Sequence, residues 1–150
     1  MTIAISIRVG EGLVYAADST SSIFETLNGV SRLAQSFHHA QKLIQLADYP
    51  VGIMTFGLGL IGTRNVESLV AEFESEQLPP MFTAQTYQVS EISEALLGFL
   101  SARYDEAMPP PGQTEPLPEM PAPNQSEDDR PFLGVVVGGY SKDEFHPKNT

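Results

Sequence analysis

Near the start of the chain apolar and polar positions alternate, with Ile3, Ile5, Ile7 and Val9 separated by Ala4, Ser6 and Arg8. A period of two marks a strand with unlike faces. Gly10-Glu11-Gly12 then supplies turn chemistry before Leu13-Val14-Tyr15-Ala16-Ala17, so the spacing predicts a β-hairpin that begins almost at the N-terminus. From Ser19 to Ser36 the chain is polar, with a tight turn marked at Asn28-Gly29, and an irregular excursion carrying one short ribbon is expected. Beyond His38-His39, Lys42-Leu43-Ile44-Gln45-Leu46 and the apolar run Val51 to Phe56 flank a turn at Asp48-Tyr49-Pro50. That is a second hairpin.

The period then changes. Val66, Leu69, Val70 and Phe73 fall at i, i+3, i+4 and i+7, one buried face of a helix from about Gly62 to Glu76. Val89, Ile92, Leu96, Phe99 and Leu100 predict a second helix ending near Met108, where prolines begin. Residues 109–131 hold eight of the twelve prolines together with Glu115, Glu119, Glu127, Asp128 and Asp129. Such a composition buries too little apolar surface to offset chain entropy, so a Pro-rich acidic surface loop is expected there. Phe132 to Tyr140 reads as a strand, with a partner strand expected at Phe145-His146. Strands, two consecutive helices and a further strand make an α+β arrangement within a single domain spanning residues 1–150. The sheet is only partly built when the sequence stops at Thr150, so the fold is expected to be incomplete at its C-terminus.

Composition narrows the chemistry. One domain is the natural expectation for 150 residues. A formal charge of -11 with only eight Lys and Arg leaves no basic surface for phosphate, so no nucleic-acid partner is expected. The first residues lack a basic n-region and a continuous apolar h-region, and no stretch approaches the ~18 apolar residues of a membrane span. A cytoplasmic protein with no membrane partner is the expectation. Without cysteine there are no disulfides, thiolate metal sites or cysteine nucleophiles, so catalysis would use hydroxyl, amine, carboxylate or imidazole groups. His38 and His39 would point to opposite faces of a strand and His146 is remote, so no metal is expected.

Gly57-Leu58-Gly59-Leu60-Ile61-Gly62 matches the G-x-G-x-x-G fingerprint of dinucleotide binding, after an apolar strand and before a helix. That motif also needs a parallel strand after the helix, ending near an acid about twenty residues on. Glu74 and Glu76 have the distance but belong to the helix pattern, and Leu78-Pro79-Pro80 follows instead of a strand. Dinucleotide binding through Gly57–Gly62 is therefore a minor alternative, and no cofactor is expected.

A further set of residues runs in order along the chain: Thr2 directly behind Met1, Gly12-Leu13-Val14-Tyr15-Ala16-Ala17-Asp18, Lys42-Leu43-Ile44-Gln45-Leu46, Met54-Thr55-Phe56-Gly57, and Val137-Gly138-Gly139-Tyr140. In this order and spacing they resemble the β-type subunits of the proteasome and their bacterial relatives, a family of N-terminal-nucleophile (Ntn) hydrolases. The likeness spans nearly the whole chain. It implies a four-layer αββα sandwich, assembly into a ring-like homo-oligomer and a peptide or protein substrate, and it leaves open whether a regulatory ATPase takes part. It further implies Thr2, exposed by removal of Met1, as nucleophile, with Asp18, Lys42 and Gly57 completing the catalytic set and Thr20, Ser22 and Thr55 lining the substrate groove. Three features depart from the family pattern: Ile3 where many catalytic subunits have a second Thr, Thr20 where an Arg is common, and a longer excursion between Asp18 and Lys42. The family's later catalytic Ser and Asp would lie beyond Thr150.

The chemistry of such a set is coherent. A threonine hydroxyl needs a base, and an N-terminal Thr carries one in its own α-amino group, with a reference pKa of about 7.7–8.0. A nearby Lys42 would lower that pKa by like-charge repulsion, Asp18 would hold the ammonium, and the Gly57 N–H would stabilise the oxyanion. A threonine peptidase or amidohydrolase is the leading expectation. A non-catalytic proteasome-like assembly or scaffold subunit is the alternative.

Overall fold

Gly10 and Glu11 reverse the chain between strands β1 (Ala4–Val9) and β2 (Gly12–Ala17), so that Val9 faces Gly12, Ile7 faces Val14 and Ala4 faces Ala17. The pairing continues past the strand ends, where Asp18 N–H donates to the Ile3 carbonyl at 3.0 Å. The computed structural model describes residues 3–27, 30–37, 40–82, 86–108, 131–143 and 146–150. Thr2, Asn28-Gly29, His38-His39 and all of the Pro-rich stretch but Pro131 lie outside these residues.

The polar excursion is more regular than its composition predicts. Strands β3 (Ser21–Leu27) and β4 (Val30–Phe37) pair antiparallel along their full length, with one register shift between Ile23 and Phe24. Backbone pairing needs no apolar side chains, and the Leu27–Val30 pair closes the ribbon around the position expected to turn.

The main sheet has four antiparallel strands in the order β10-β9-β6-β5, built from β5 (Leu43–Gln45), β6 (Val51–Gly57), β9 (Leu133–Gly139) and β10 (Lys148–Asn149). Of the strand expected at Phe145-His146, Phe145 lies outside the described residues, and the described strand is Lys148–Asn149. Pro147, which has no N–H for a ladder and is buried, precedes it, and pairing begins only at Lys148 opposite Gly139.

Between β6 and the first helix lies a small ribbon, β7 (Leu60–Ile61) with β8 (Arg64–Asn65), which turns at Gly62 with φ +60°. Helix α1 (Val66–Glu72) therefore starts later than Gly62. Asn65 sets the start, its side chain accepting from Ser68 N–H at 2.8 Å as an N-cap. The helix runs on through a π-helical turn, Phe73–Gln77, into α2 (Leu78–Met81). Pro79 and Pro80 are tolerated there because the first turn of a helix does not use those N–H groups. Helix α3 (Val89–Ala107) agrees with its predicted span and opens on a capping box between Gln88 and Glu91.

The core lies between the sheet and the helices. Val51, Ile53 and Val137 from the sheet meet Leu69, Val70 and Phe73 near α1 and Val89, Ile92, Leu96 and Leu100 on α3, all buried. Each large side chain so buried contributes roughly 1.5–3 kcal/mol. Glu72 joins the two helices by accepting from Arg64 and, at 2.6 Å, from Arg103, whose guanidinium also lies over Phe99.

The β1–β2 hairpin covers the opposite face of the sheet. The Tyr15 ring lies over two glycines and depends on one of them: a Cβ on Gly138 would sit 2.0 Å from the Tyr15 hydroxyl, whereas one on Gly52 would touch the ring at 3.4 Å. The Tyr15 hydroxyl donates to Asn149 Oδ1 at 2.7 Å, Asn149 Nδ2 to Ser6 Oγ at 3.0 Å, and the Tyr140 hydroxyl to the Glu11 carbonyl at 3.2 Å. Burial pushes the Tyr15 phenol up to about 12. Hairpin, sheet and helices thus form successive layers. The outer side of the hairpin carries Ile3, Ile5, Ile7, Val9 and Val14, each about half exposed. Among the described residues no helix is long and apolar enough to cross a membrane.

Candidate active site

The two-residue turn at Gly10-Glu11 puts Asp18 opposite Ile3, at the open end of the hairpin. Asp18 Oδ1 accepts from Ile3 N–H at 3.0 Å while Ile3 O accepts from Asp18 N–H, so the chain entering β1 is held at both groups. The same carboxylate oxygen accepts from Lys42 Nζ at 2.9 Å. Lys42 immediately precedes β5, in the sheet beneath, and its Nζ also donates to the Thr20 carbonyl at 2.6 Å. Its side chain is only 10% exposed, so an ammonium there needs such partners to offset lost hydration. The hydrogen bond from Lys42, then that from Ile3 N–H, hold the Asp18 carboxyl below its usual range, outweighing partial burial, which acts the other way.

Alternation along β6 fixes where the Gly57 N–H points. Leu58 N–H donates to the Phe132 carbonyl at 2.8 Å and Tyr140 N–H to the Pro50 carbonyl at 3.1 Å, so even-numbered positions turn their backbone groups toward β9. Thr55 N–H donates to the Lys42 carbonyl at 2.8 Å and Leu46 N–H to the Val51 carbonyl at 3.0 Å, so odd-numbered positions turn toward β5. The Gly57 N–H accordingly points to the Lys42 side, two residues or about 7 Å along β6 from Thr55. Gly57 has φ +86°, and a Cβ there would lie 2.3 Å from the Phe132 carbonyl oxygen. Glycine is required at this point by the backbone itself.

Asp18, Lys42 and Thr20 are thus in direct contact, and Gly57 lies on the same side of the neighbouring strand. Thr20 takes part through its carbonyl, a role its side-chain type could not have disclosed. Thr55 departs from expectation: it is 5% exposed and holds Lys42 through its backbone, so it supports the site from within and does not line an open groove. Ser22 lies on β3 opposite Ser36. The Ile3 N–H was not singled out from the sequence, although the hairpin register alone pairs it with Asp18.

The glycine fingerprint at Gly57–Gly62 has a different context from the one a dinucleotide needs. Strand β6 pairs antiparallel with both neighbours, and the last glycine turns the β7–β8 ribbon well before the helix begins at Val66. No group of three or more His, Cys, Asp or Glu among the described residues could hold a metal ion. No protein-family model, curated protein or solved structure matches the chain.

Proposed function

We propose that the chain is a proteasome-like threonine peptidase or amidohydrolase of the Ntn type, acting through Thr2 once Met1 has been removed. One observation carries the proposal: Asp18 holds both the Lys42 ammonium and the backbone N–H of Ile3, and Thr2 is joined to Ile3 by a single peptide bond. A charged pair brought against the backbone of Ile3, with one member only 10% exposed, is costly to assemble for stability alone. It suits a site in which an α-amino group acts as base. Lys42 keeps that amine neutral by like-charge repulsion, the neutral amine takes the Thr2 hydroxyl proton, and the hydroxyl oxygen adds to the substrate carbonyl. The Gly57 N–H receives the developing oxyanion.

The assignment extends to a four-layer αββα sandwich of which the hairpin, sheet and helices described above would be three layers. Assembly into a ring-like homo-oligomer in the cytoplasm, with peptide or protein as substrate, belongs to the same proposal. The exposed Ile3, Ile5, Ile7, Val9 and Val14 on the hairpin favour a second reading, a subunit kept for assembly rather than catalysis. A β-lactone probe separates the two. The peptidase forms a covalent ester at Thr2 that is lost in Thr2→Ala and in Lys42→Met, whereas a scaffold subunit forms none.

A further inference from the structure

Phe132 is the most exposed large apolar side chain among the described residues, at 68%, and it sits beside the Gly57 turn. Its carbonyl accepts from Leu58 N–H at 2.8 Å and blocks any Cβ at Gly57, so its backbone is fixed relative to the proposed oxyanion donor. Its ring leans on Phe56, with centroids 5.8 Å apart and planes at 54°. Phe56 in turn occupies the space above Gly134, where a Cβ would come within 2.3 Å of the ring. An exposed aromatic surface is thus held by glycine-shaped close contacts from both strands.

The placement is informative. Phe56 alternates with Met54 and Gly52, and Gly52 lies under Tyr15, so the Phe56 ring is on the hairpin side of the sheet, the side from which Asp18 reaches Lys42. Lys42 lies opposite Thr55 and Phe132 opposite Leu58, three residues or about 10 Å further along β6, and β5 and β9 flank β6 at about 5 Å each, so Lys42 and Phe132 are about 14 Å apart diagonally across the sheet end. That span accommodates a carbonyl at the Gly57 N–H and the side chain of an adjoining residue reaching toward β9.

We propose, on the basis of the peptidase assignment, that Phe132 with Phe56 forms an apolar subsite selecting an aromatic or large aliphatic residue within two positions of the scissile amide. Covering Phe132 removes its ring from water, which a small or charged substrate side chain would not do. Phe132 is then a specificity-determining residue contributed by the strand that follows the helices.

The test is digestion of a peptide mixture, randomised in sequence and free of blocking groups, by the full chain carrying its native N-terminus. Cleavage sites are sequenced by mass spectrometry for wild type, Phe132→Ala and Phe132→Trp, each checked for a cooperative melt and for β-lactone labelling. The proposal expects roughly tenfold enrichment of Phe, Tyr or Leu at one position near the cut in wild type. Phe132→Ala should reduce that enrichment to about twofold or less, and Phe132→Trp should retain it. Unchanged enrichment in a folded, labelled Phe132→Ala protein, or no apolar preference in a labelled wild type, overturns the subsite and leaves the peptidase assignment standing. Absence of labelling in wild type overturns both.

Discussion

Asp18 concentrates the electrostatics of the proposed site. Its carboxyl lies below its ordinary pKa because of Lys42 and Ile3 N–H, while in the unfolded chain it returns to about 3.9. The unfolded state therefore binds more protons in acid, so the stabilisation is present above about pH 4 and is lost as pH falls through the lower folded-state value. Urea denaturation of wild type and Asp18→Asn should give a stability difference that is widest near neutral pH and closes in acid. A difference independent of pH would mean that the carboxylate charge does not stabilise the fold. Gly57 allows a second prediction at this scale. With φ +86° and the Phe132 carbonyl oxygen 2.3 Å from any Cβ, Gly57→Ala should cost about 2 kcal/mol or more in the same assay. These two residues also differ in how far the sequence discloses them. The glycine-containing turn pairs Ile3 with Asp18 by counting along the hairpin, so the nearness of Asp18 to the N-terminus is readable. The contact between Asp18 and Lys42 requires one layer to stack on another, and the approach of Phe132 to Gly57 joins residues separated by two helices and the Pro-rich stretch. Neither leaves a local pattern.

Among the elements, α3 was readable because its period, its cap and the proline after it agree. Val89, Ile92, Leu96 and Leu100 are all buried. Leu96→Ala should accordingly lose about 2–5 kcal/mol, measured by chemical denaturation. The start of α1 was misplaced because Gly62 resembles the glycine of a strand-to-helix turn, whereas the local competition is won by the Asn65 side chain on Ser68 N–H. Asn65→Ala should cost about 1 kcal/mol, and Asn65→Ser should recover most of it. The β3–β4 ribbon was underestimated for a different reason: a polar run hides a strand when pairing, and not burial, defines it. At β10 the proline at position 147 has no N–H to offer the ladder, and Lys148 and Asn149 make the pairs with Gly139 and Gly138.

For the molecule as a whole, the hairpin over the sheet over the helices leaves one side of the hairpin apolar and half exposed. Isolated surface hydrophobics need no explanation, but five on one strand pair form a patch. If assembly uses this patch, replacing Ile5 and Ile7 together with Lys should shift the sedimentation distribution toward the single chain without lowering the helical signal. An unchanged distribution would remove the patch from the interface. Length, charge and the absence of cysteine narrow the class of protein that the sequence leads one to expect, yet they do not distinguish a peptidase from a scaffold. That distinction depends on the chemistry of one N-terminal residue next to the Asp18–Lys42 pair.

The most direct measurement is the intact mass of the full protein before and after treatment with a β-lactone, followed by peptide mapping. The expected result is a chain that lacks Met1 and gains one adduct on Thr2, with no adduct in Thr2→Ala or Lys42→Met. A folded protein that retains Met1, or that lacks Met1 and gains no adduct, would contradict it.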